Sequence, residues 1–105
     1  SIHQNHFPDP RYDGAQVFHT RGAEELAKAM QSALTDALAP HSRRQPKIAK
    51  GVYLMEHIDC PGLLVECGFL SNPKEEAQLR SDDYQRKLCC VIASSAAQFL
   101  QNANT

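Results

Sequence analysis

The sequence predicts an α/β protein, a layered sheet with helices on both faces. Several short segments have strand composition, and helical patterns with a single apolar stripe lie between or after them. One strand-like segment is almost continuously apolar, which is typical of a strand covered on both faces in the middle of a sheet. At 105 residues the chain is long enough for one domain and too short for two.

Two strands are predicted near the start of the chain. Residues 1–5 alternate polar and apolar, as a half-buried strand does, and residues 15–19 return to strand composition. Between them, residues 7–14 contain two prolines and an Asp-Gly pair, which indicate a loop. Because the chain opens inside a strand and without a methionine, we expect a fragment or a processed product.

A long helix is predicted after Gly22, since apolar residues recur there at every fourth position. These residues are Leu26, Met30, Leu34 and Leu38. They form one stripe that faces a core, and Pro40 ends the helix. Residues 41–50 are the most polar stretch and predict a solvated loop, with anion binding as the alternative.

Two further strands and two helices complete the prediction. Residues 51–55 predict a third strand, and residues 61–69 predict the apolar fourth strand. Asn72 supplies a capping side chain ahead of Pro73 at the first position of a helix. A last helix begins at residues 81–83 and has one apolar face. That face consists of Leu88, Val91, Ile92, Ala96, Phe99 and Leu100.

Composition excludes several classes of protein. Eleven basic residues against 12 acidic ones give a formal charge of −1, which argues against a binder of nucleic-acid backbones. No stretch approaches the roughly 18 apolar residues of a membrane span. The cysteines do not form a disulfide framework, because Cys89 and Cys90 are adjacent and Cys60 and Cys67 share one extended segment. We predict that all four are small apolar core residues.

Glu66 is the strongest candidate for chemistry. It lies inside the apolar fourth strand, where burial disfavours the ionised carboxylate and raises its pKa toward neutrality. A carboxyl in that state suits a general acid or base. The alternative is a structural glutamate at a strand end, paired with a cation.

His3 holds a comparable place near the carboxyl end of the first strand, beyond which open α/β sheets bind ligands. A neutral imidazole there suits a metal, although a lone histidine is more often structural. His6 and the His57–Cys60 pair are weaker metal candidates. No Walker loop, dinucleotide fingerprint or serine-hydrolase elbow occurs in the sequence.

Three segments together resemble the zinc-dependent N-acetylmuramoyl-L-alanine amidases of the bacterial cell wall. They are Ser-Ile-His-Gln-Asn at 1–5, Gly-Ala-Gln-Val-Phe at 14–18 and Pro-Gly-Leu-Leu-Val-Glu-Cys-Gly-Phe-Leu-Ser-Asn-Pro at 61–73. Their order and separations match, and residues 84–88 resemble the family's closing helix, so the resemblance covers nearly the whole chain. Residues 4–12 are most similar to the subgroup that acts on spore cortex.

The resemblance implies an activity and three residue roles. Members of the family hydrolyse the amide that joins the lactyl group of N-acetylmuramic acid to L-alanine, in the wall or cortex outside the cytoplasm. Their zinc is held by two histidines and a glutamate. By motif, His3 matches the last zinc ligand and Glu66 the catalytic glutamate that moves the proton of the activated water. These two side chains are therefore expected to meet across neighbouring strands. Asn5 would orient the substrate or the metal site.

The resemblance also implies that part of the domain is missing. The family's first histidine and its glutamate ligand precede the Ser-Ile-His strand, so residues 1–105 would be the C-terminal part of one catalytic domain. His3 alone cannot hold a catalytic zinc, which needs about three protein ligands. We therefore expect this chain alone to be a poor or inactive amidase. The uncovered sheet edge would favour self-association or pairing with the missing segment.

Two other functions stay open. A non-catalytic domain that binds or assembles the wall would retain the fold and meet anionic glycans through the basic residues of 43–50. A small nucleic-acid binder would use the same loop. The charge balance and the lack of an aromatic platform beside the loop disfavour the second of these.

Overall fold

The computed structural model describes residues 1–103 and contains a four-stranded mixed sheet with packed helices. The strands are β1 (Ile2–Asn5), β2 (Gln16–His19), β3 (Lys47–Ile48) and β4 (Leu63–Phe69). The helices are α1 (Glu24–Leu38), α2 (Tyr53–His57), α3 (Pro73–Leu79) and α4 (Asp82–Ala103). The predicted α/β class is confirmed. No helix within the described range is long and apolar enough to cross a membrane.

The strands lie in the order β1-β4-β2-β3, so the apolar strand β4 is central, as predicted. β1 runs parallel to β4 and places His3 opposite Glu66. β2 runs antiparallel to β4 and places Gln16 opposite the same glutamate, while β3 runs parallel to β2. Within residues 1–103, β1 and β3 are therefore the two edges of the sheet.

The core lies between one face of the sheet and helices α1, α3 and α4. Its buried members are Ala15, Val17, Ala27, Met30, Leu34, Val65, Cys67, Leu79 and Leu88. The predicted stripe of α1 is confirmed for Met30 and Leu34, which are buried, and for Leu38, which packs against the core, while Leu26 is half-buried. Successive residues of a strand point to opposite faces, so Gln16 and Glu66 leave the sheet on the face away from this core.

Gln31 of α1 completes the hydrogen bonding of β2 where the short strand β3 does not reach. β3 pairs only with Phe18 and His19. Nearer the start of β2, the Gln31 Oε1 accepts from the Val17 N–H at 2.8 Å, and its Nε2 donates to the Ala15 carbonyl at 3.0 Å. A helix side chain thus takes the place of a neighbouring strand and leaves these buried backbone groups satisfied.

α3 begins as the sequence predicts. The Asn72 Oδ1 accepts from the Glu75 N–H at 3.0 Å, with Pro73 at the first helical position. The buried carboxylate of Glu75 turns away from this cap and accepts from the N–H groups of Phe69 and Gly14, both at 2.9 Å. It ties the end of β4 to the segment that leads into β2.

The predicted strand at residues 51–55 is wrong. Gly51 has a φ of +74°, a left-handed conformation that glycine adopts without strain, and the short helix α2 follows it. Within α2 the rings of Tyr53 and His57, one helical turn apart, stack with centroids 3.9 Å apart, while Met55 is buried. The remaining strand of the sheet is β3, which lies inside the stretch predicted as a loop.

The predicted apolar face of α4 is confirmed in part. Leu88 is buried, and Val91, Ile92 and Ala96 pack against the core. Leu100 is 60% exposed. α4 packs against α1 but is longer, with 22 residues against 15. Part of the apolar face of α4 is therefore not covered by α1.

The four cysteines are all free thiols, and they divide into one buried and three exposed residues. Cys67 lies in the core as predicted, and burial raises the pKa of its thiol to about 11. The prediction is wrong for Cys60, in the loop before β4, and for Cys89 and Cys90 on α4.

Candidate functional site

Three side chains form a row across the sheet on the face opposite the core. Glu66 of β4 lies at the centre, with His3 of β1 and Gln16 of β2 as its register partners on either side. Neighbouring strands lie about 4.8 Å apart, and paired residues project from the same face. The structure therefore places His3 and Glu66 together on neighbouring strands, as expected from the resemblance.

The Glu66 carboxylate contains a buried oxygen without a partner. Its Oε2 is shielded from solvent and makes no hydrogen bond to any residue within 1–103. Burial raises the pKa of the carboxyl above its ordinary value, and the charge of nearby His3 lowers it by a smaller amount. None of the ion pairs in this part of the chain includes Glu66, so the alternative role as half of a structural ion pair has no support.

His3 is exposed on the edge strand β1. Its Nε2 lies 2.7 Å from the Ser1 hydroxyl oxygen, while its Nδ1 makes no hydrogen bond to the described residues. Asn5, two residues further along β1, pairs in register with Phe69. The Asn5 Oδ1 accepts from the His6 N–H at 2.8 Å, which leaves the amide Nδ2 without a partner among residues 1–103. A ring nitrogen and an amide N–H are thus available to a ligand.

Residues 1–103 do not complete a metal site by themselves. Among them, no group of three or more histidine, cysteine, aspartate or glutamate side chains is arranged to hold a metal ion. A catalytic zinc takes about three protein ligands. His3, the register partner of Glu66 on the neighbouring strand, fits as one ligand of such a site. The others would come from outside this range.

The weaker metal candidates are not assembled into a site. The His57 Nδ1 lies 2.7 Å from the Tyr53 carbonyl oxygen of its own helix, α2. His6 is exposed in the loop after β1, and Cys60 is exposed in the loop before β4. Within the described residues, His57 and Cys60 belong to no group of three or more potential metal ligands.

Gln16 and Arg44 were not among the site residues predicted from the sequence. The buried Gln16 donates through Nε2 to the Gln45 carbonyl at 2.8 Å, and its Oε1 accepts from the Arg44 Nη1 at 3.4 Å. The Arg44 Nε donates to the Asp13 carbonyl at 2.9 Å, and its guanidinium lies 4.9 Å from the centroid of the Phe69 ring. Arg44 is half-buried, so the prediction of a solvated loop is wrong at this residue.

The sequence pattern that defines the N-acetylmuramoyl-L-alanine amidase family matches residues 1–98. This chain belongs to that family. The germination-specific N-acetylmuramoyl-L-alanine amidase of Bacillus subtilis is 39% identical over 95 residues, which cover 88% of this chain and 40% of that protein. The family is typically zinc-dependent, and the similarity to the spore subgroup is confirmed.

Solved amidase structures have the same fold. The CwlD amidase from Clostridioides difficile, in complex with the GerS lipoprotein, superposes with a TM-score of 0.90 and 35% identity over 96% of this chain and 53% of that one. The amidase AmiC2 of Nostoc punctiforme, at 22% identity, shares the fold with a TM-score of 0.85 over 96% of this chain and 56% of its own. The amidase chain described here therefore spans about half the length of these solved relatives.

Proposed function

We propose that this chain is the C-terminal part of a peptidoglycan amidase domain that cleaves the amide between N-acetylmuramic acid and L-alanine. The register pairing of His3 with Glu66 carries this proposal. An acid with a raised pKa and an unpartnered oxygen lies there beside an imidazole suited to a metal. Hydrolysis of an unactivated amide needs such a proton carrier next to an electrophilic centre.

Each side chain has a separate role in this proposal. Glu66 takes the proton of the attacking water and returns it to the nitrogen of the leaving L-alanine. His3 is one ligand of a zinc ion, which when bound supplies polarisation of the carbonyl and a more acidic water. Asn5 orients the substrate through its unpartnered amide N–H. Because the remaining ligands lie outside residues 1–103, the chain alone should turn over substrate poorly or not at all.

The substrate places the protein outside the cytoplasm, in the wall or the spore cortex. The Bacillus subtilis relative, described as germination-specific, supports the cortex. The similarity of residues 4–12 to the cortex-acting subgroup points the same way.

The deciding experiment follows release of stem peptide from purified peptidoglycan by the complete domain that includes this chain. New L-alanine amino termini are counted by mass spectrometry, and zinc is measured per chain. We expect Glu66→Gln to lower the rate by about 100-fold or more, and a chelator to do the same. The control Glu76→Gln alters a half-exposed carboxylate of α3 that pairs with Arg80 at 3.1 Å. Unchanged release by Glu66→Gln would refute the assignment.

A non-catalytic wall-binding domain is the second candidate. The observation that favours it is that Arg43 and Lys47 are exposed and take part in no ion pair within residues 1–103, so they could meet anionic glycans. Stoichiometric binding to peptidoglycan without turnover, even in the complete domain loaded with zinc, would establish this function in place of hydrolysis.

A further inference from the structure

We propose that a cationic cleft next to the His3–Glu66–Gln16 row binds a carboxylate of the stem peptide. We call it the Arg44 cleft; its lining includes Tyr12, Gln16, Ser42, Arg43, Arg44 and Lys47. The cleft has a volume of about 540 Å³. This inference rests on the proposed function, because the stem peptide is the leaving group of that reaction.

Gln16 belongs both to the row and to the cleft. It lies opposite Glu66 across β2 and β4, on the side of Glu66 away from His3. The cleft therefore begins about one strand spacing, roughly 5 Å, from the proposed proton carrier. Two residues of an extended peptide span about 7 Å. A peptide whose first amide is cleaved beside Glu66 would bring the carboxylates of its next residues to the cleft.

The cleft is lined by more positive than negative charge, since Asp13 is its one acidic lining residue and pairs with His41 at 3.2 Å. Arg43, Arg44 and Lys47 take part in none of the ion pairs within residues 1–103. Arg11 and His41, also in the lining, are each paired with an aspartate. Three unpaired cations around one concave surface of a chain with a formal charge of −1 indicate an anionic ligand.

Arg44 is already held in position. Its Nε donates to the Asp13 carbonyl, its Nη1 donates to Gln16, and its planar face lies over Phe69, which leaves Nη2 without a partner among residues 1–103. Gly14 keeps this place open, since a Cβ there would lie 3.3 Å from the Arg44 Nε and the glycine φ is +94°. An arginine oriented in advance loses little side-chain entropy when it binds a carboxylate.

The test compares two soluble muramoyl peptides that differ only in whether the stem-peptide carboxylates are free or converted to carboxamides. In the complete domain we expect the free acid to have a KM about tenfold lower. Arg44→Gln and Arg43→Gln should remove that difference by raising the KM of the free acid, with kcat changed less than about twofold. Arg86→Gln, an exposed arginine of α4 paired with Asp83, should leave both KM values unchanged.

The results separate this inference from the proposed function. Equal KM values for the two substrates, or an equal loss for both in Arg44→Gln, would overturn the carboxylate site while hydrolysis persists. Arg43 is exposed, so its variant keeps the test valid if Arg44→Gln fails to fold. If neither substrate is hydrolysed, calorimetry with the released stem peptides decides: tighter binding of the free acid, lost in Arg43→Gln, supports the cleft, and equal binding refutes it.

Discussion

The buried carboxylate of Glu75 joins Gly14 to Phe69, accepting a hydrogen bond of 2.9 Å from the backbone N–H of each. Gly14 leads into β2 and Phe69 ends β4, so one side chain of α3 holds together the two strands that carry Gln16 and Glu66. Gly68 provides the room, because a Cβ there would lie 3.2 Å from the Glu75 Oε1.

Glu75→Gln should lower the free energy of unfolding by about 2 kcal/mol, since an amide replaces one charged acceptor and turns a donor toward a backbone N–H. Urea unfolding measures the change. The control is Glu76→Gln, which removes only a partly exposed ion pair with Arg80 and should cost about 0.5 kcal/mol or less. Equal losses in the two variants would show that the buried hydrogen bonds are not the cause.

Gln31 provides a second stability test. Gln31→Met keeps the approximate volume and removes both hydrogen bonds to the backbone of β2, at Val17 and Ala15. Two buried backbone groups are then unsatisfied, and we expect a loss of about 2 kcal/mol or more. Ser32→Ala, at the neighbouring exposed position of α1, should change the free energy of unfolding by less than about 0.5 kcal/mol. A Gln31→Met variant as stable as the parent would contradict this account.

Glu66 should make stability depend on pH in a defined direction. Burial raises the pKa of its carboxyl in the folded state, so the folded chain binds this proton more tightly than the unfolded chain. Its contribution to stability is complete below the unfolded pKa and is lost as the pH rises through the folded pKa. Compared with the parent, Glu66→Gln should therefore gain stability between about pH 4 and about pH 7.

Paired urea titrations of the parent and Glu66→Gln at the two pH values measure this difference. If the free energy of unfolding of the parent instead rose relative to that of Glu66→Gln as the pH increases, a raised Glu66 pKa would be refuted. His3→Gln provides an internal check, because the His3 charge lowers the Glu66 pKa and its removal should raise that pKa further, as followed by carboxyl NMR.

Local sequence signals predicted the elements whose cause is local. The stripe of Met30 and Leu34 follows from helical periodicity, and the cap at Asn72 follows from its side chain and the proline after it. The apolar run of residues 61–69 indicated the central strand. These features depend on residues within a few positions of each other.

Contacts between segments that are distant in the sequence could not be predicted from such local signals. Gln31 bonds to Val17, 14 positions away, and Arg44 to Gln16, 28 positions away. The apolar composition of residues 51–55 suggested a buried strand. In the structure Tyr53 and Leu54 are instead exposed on α2, and composition alone does not distinguish the two cases. The meeting of His3 and Glu66 on neighbouring strands was predicted only through the family resemblance, and the register of β1 against β4 places them opposite each other.

The thiols should react in two classes. Cys67 is buried with a pKa raised to about 11, and the other three cysteines are exposed. At about pH 8 a disulfide reagent should label three thiols of the folded chain quickly and the fourth only after denaturant is added. Cys67→Ala should leave the fast class of three and remove the slow one. Four fast thiols in the native protein would show that the core opens readily at β4.

The edge strand β1 should promote self-association. Its outer backbone is unpaired within residues 1–103, and Ile2, which shares the core face with Val65, is 60% exposed. Such an edge is a template for pairing with a second chain. We expect a rise in sedimentation coefficient between about 10 µM and about 200 µM protein, which Ile2→Lys should suppress by placing a charge at the edge. Leu100→Lys is the matched control, because Leu100 on α4 is also 60% exposed. Equal suppression by the two variants would assign the association to apolar exposure in general and exclude pairing through β1.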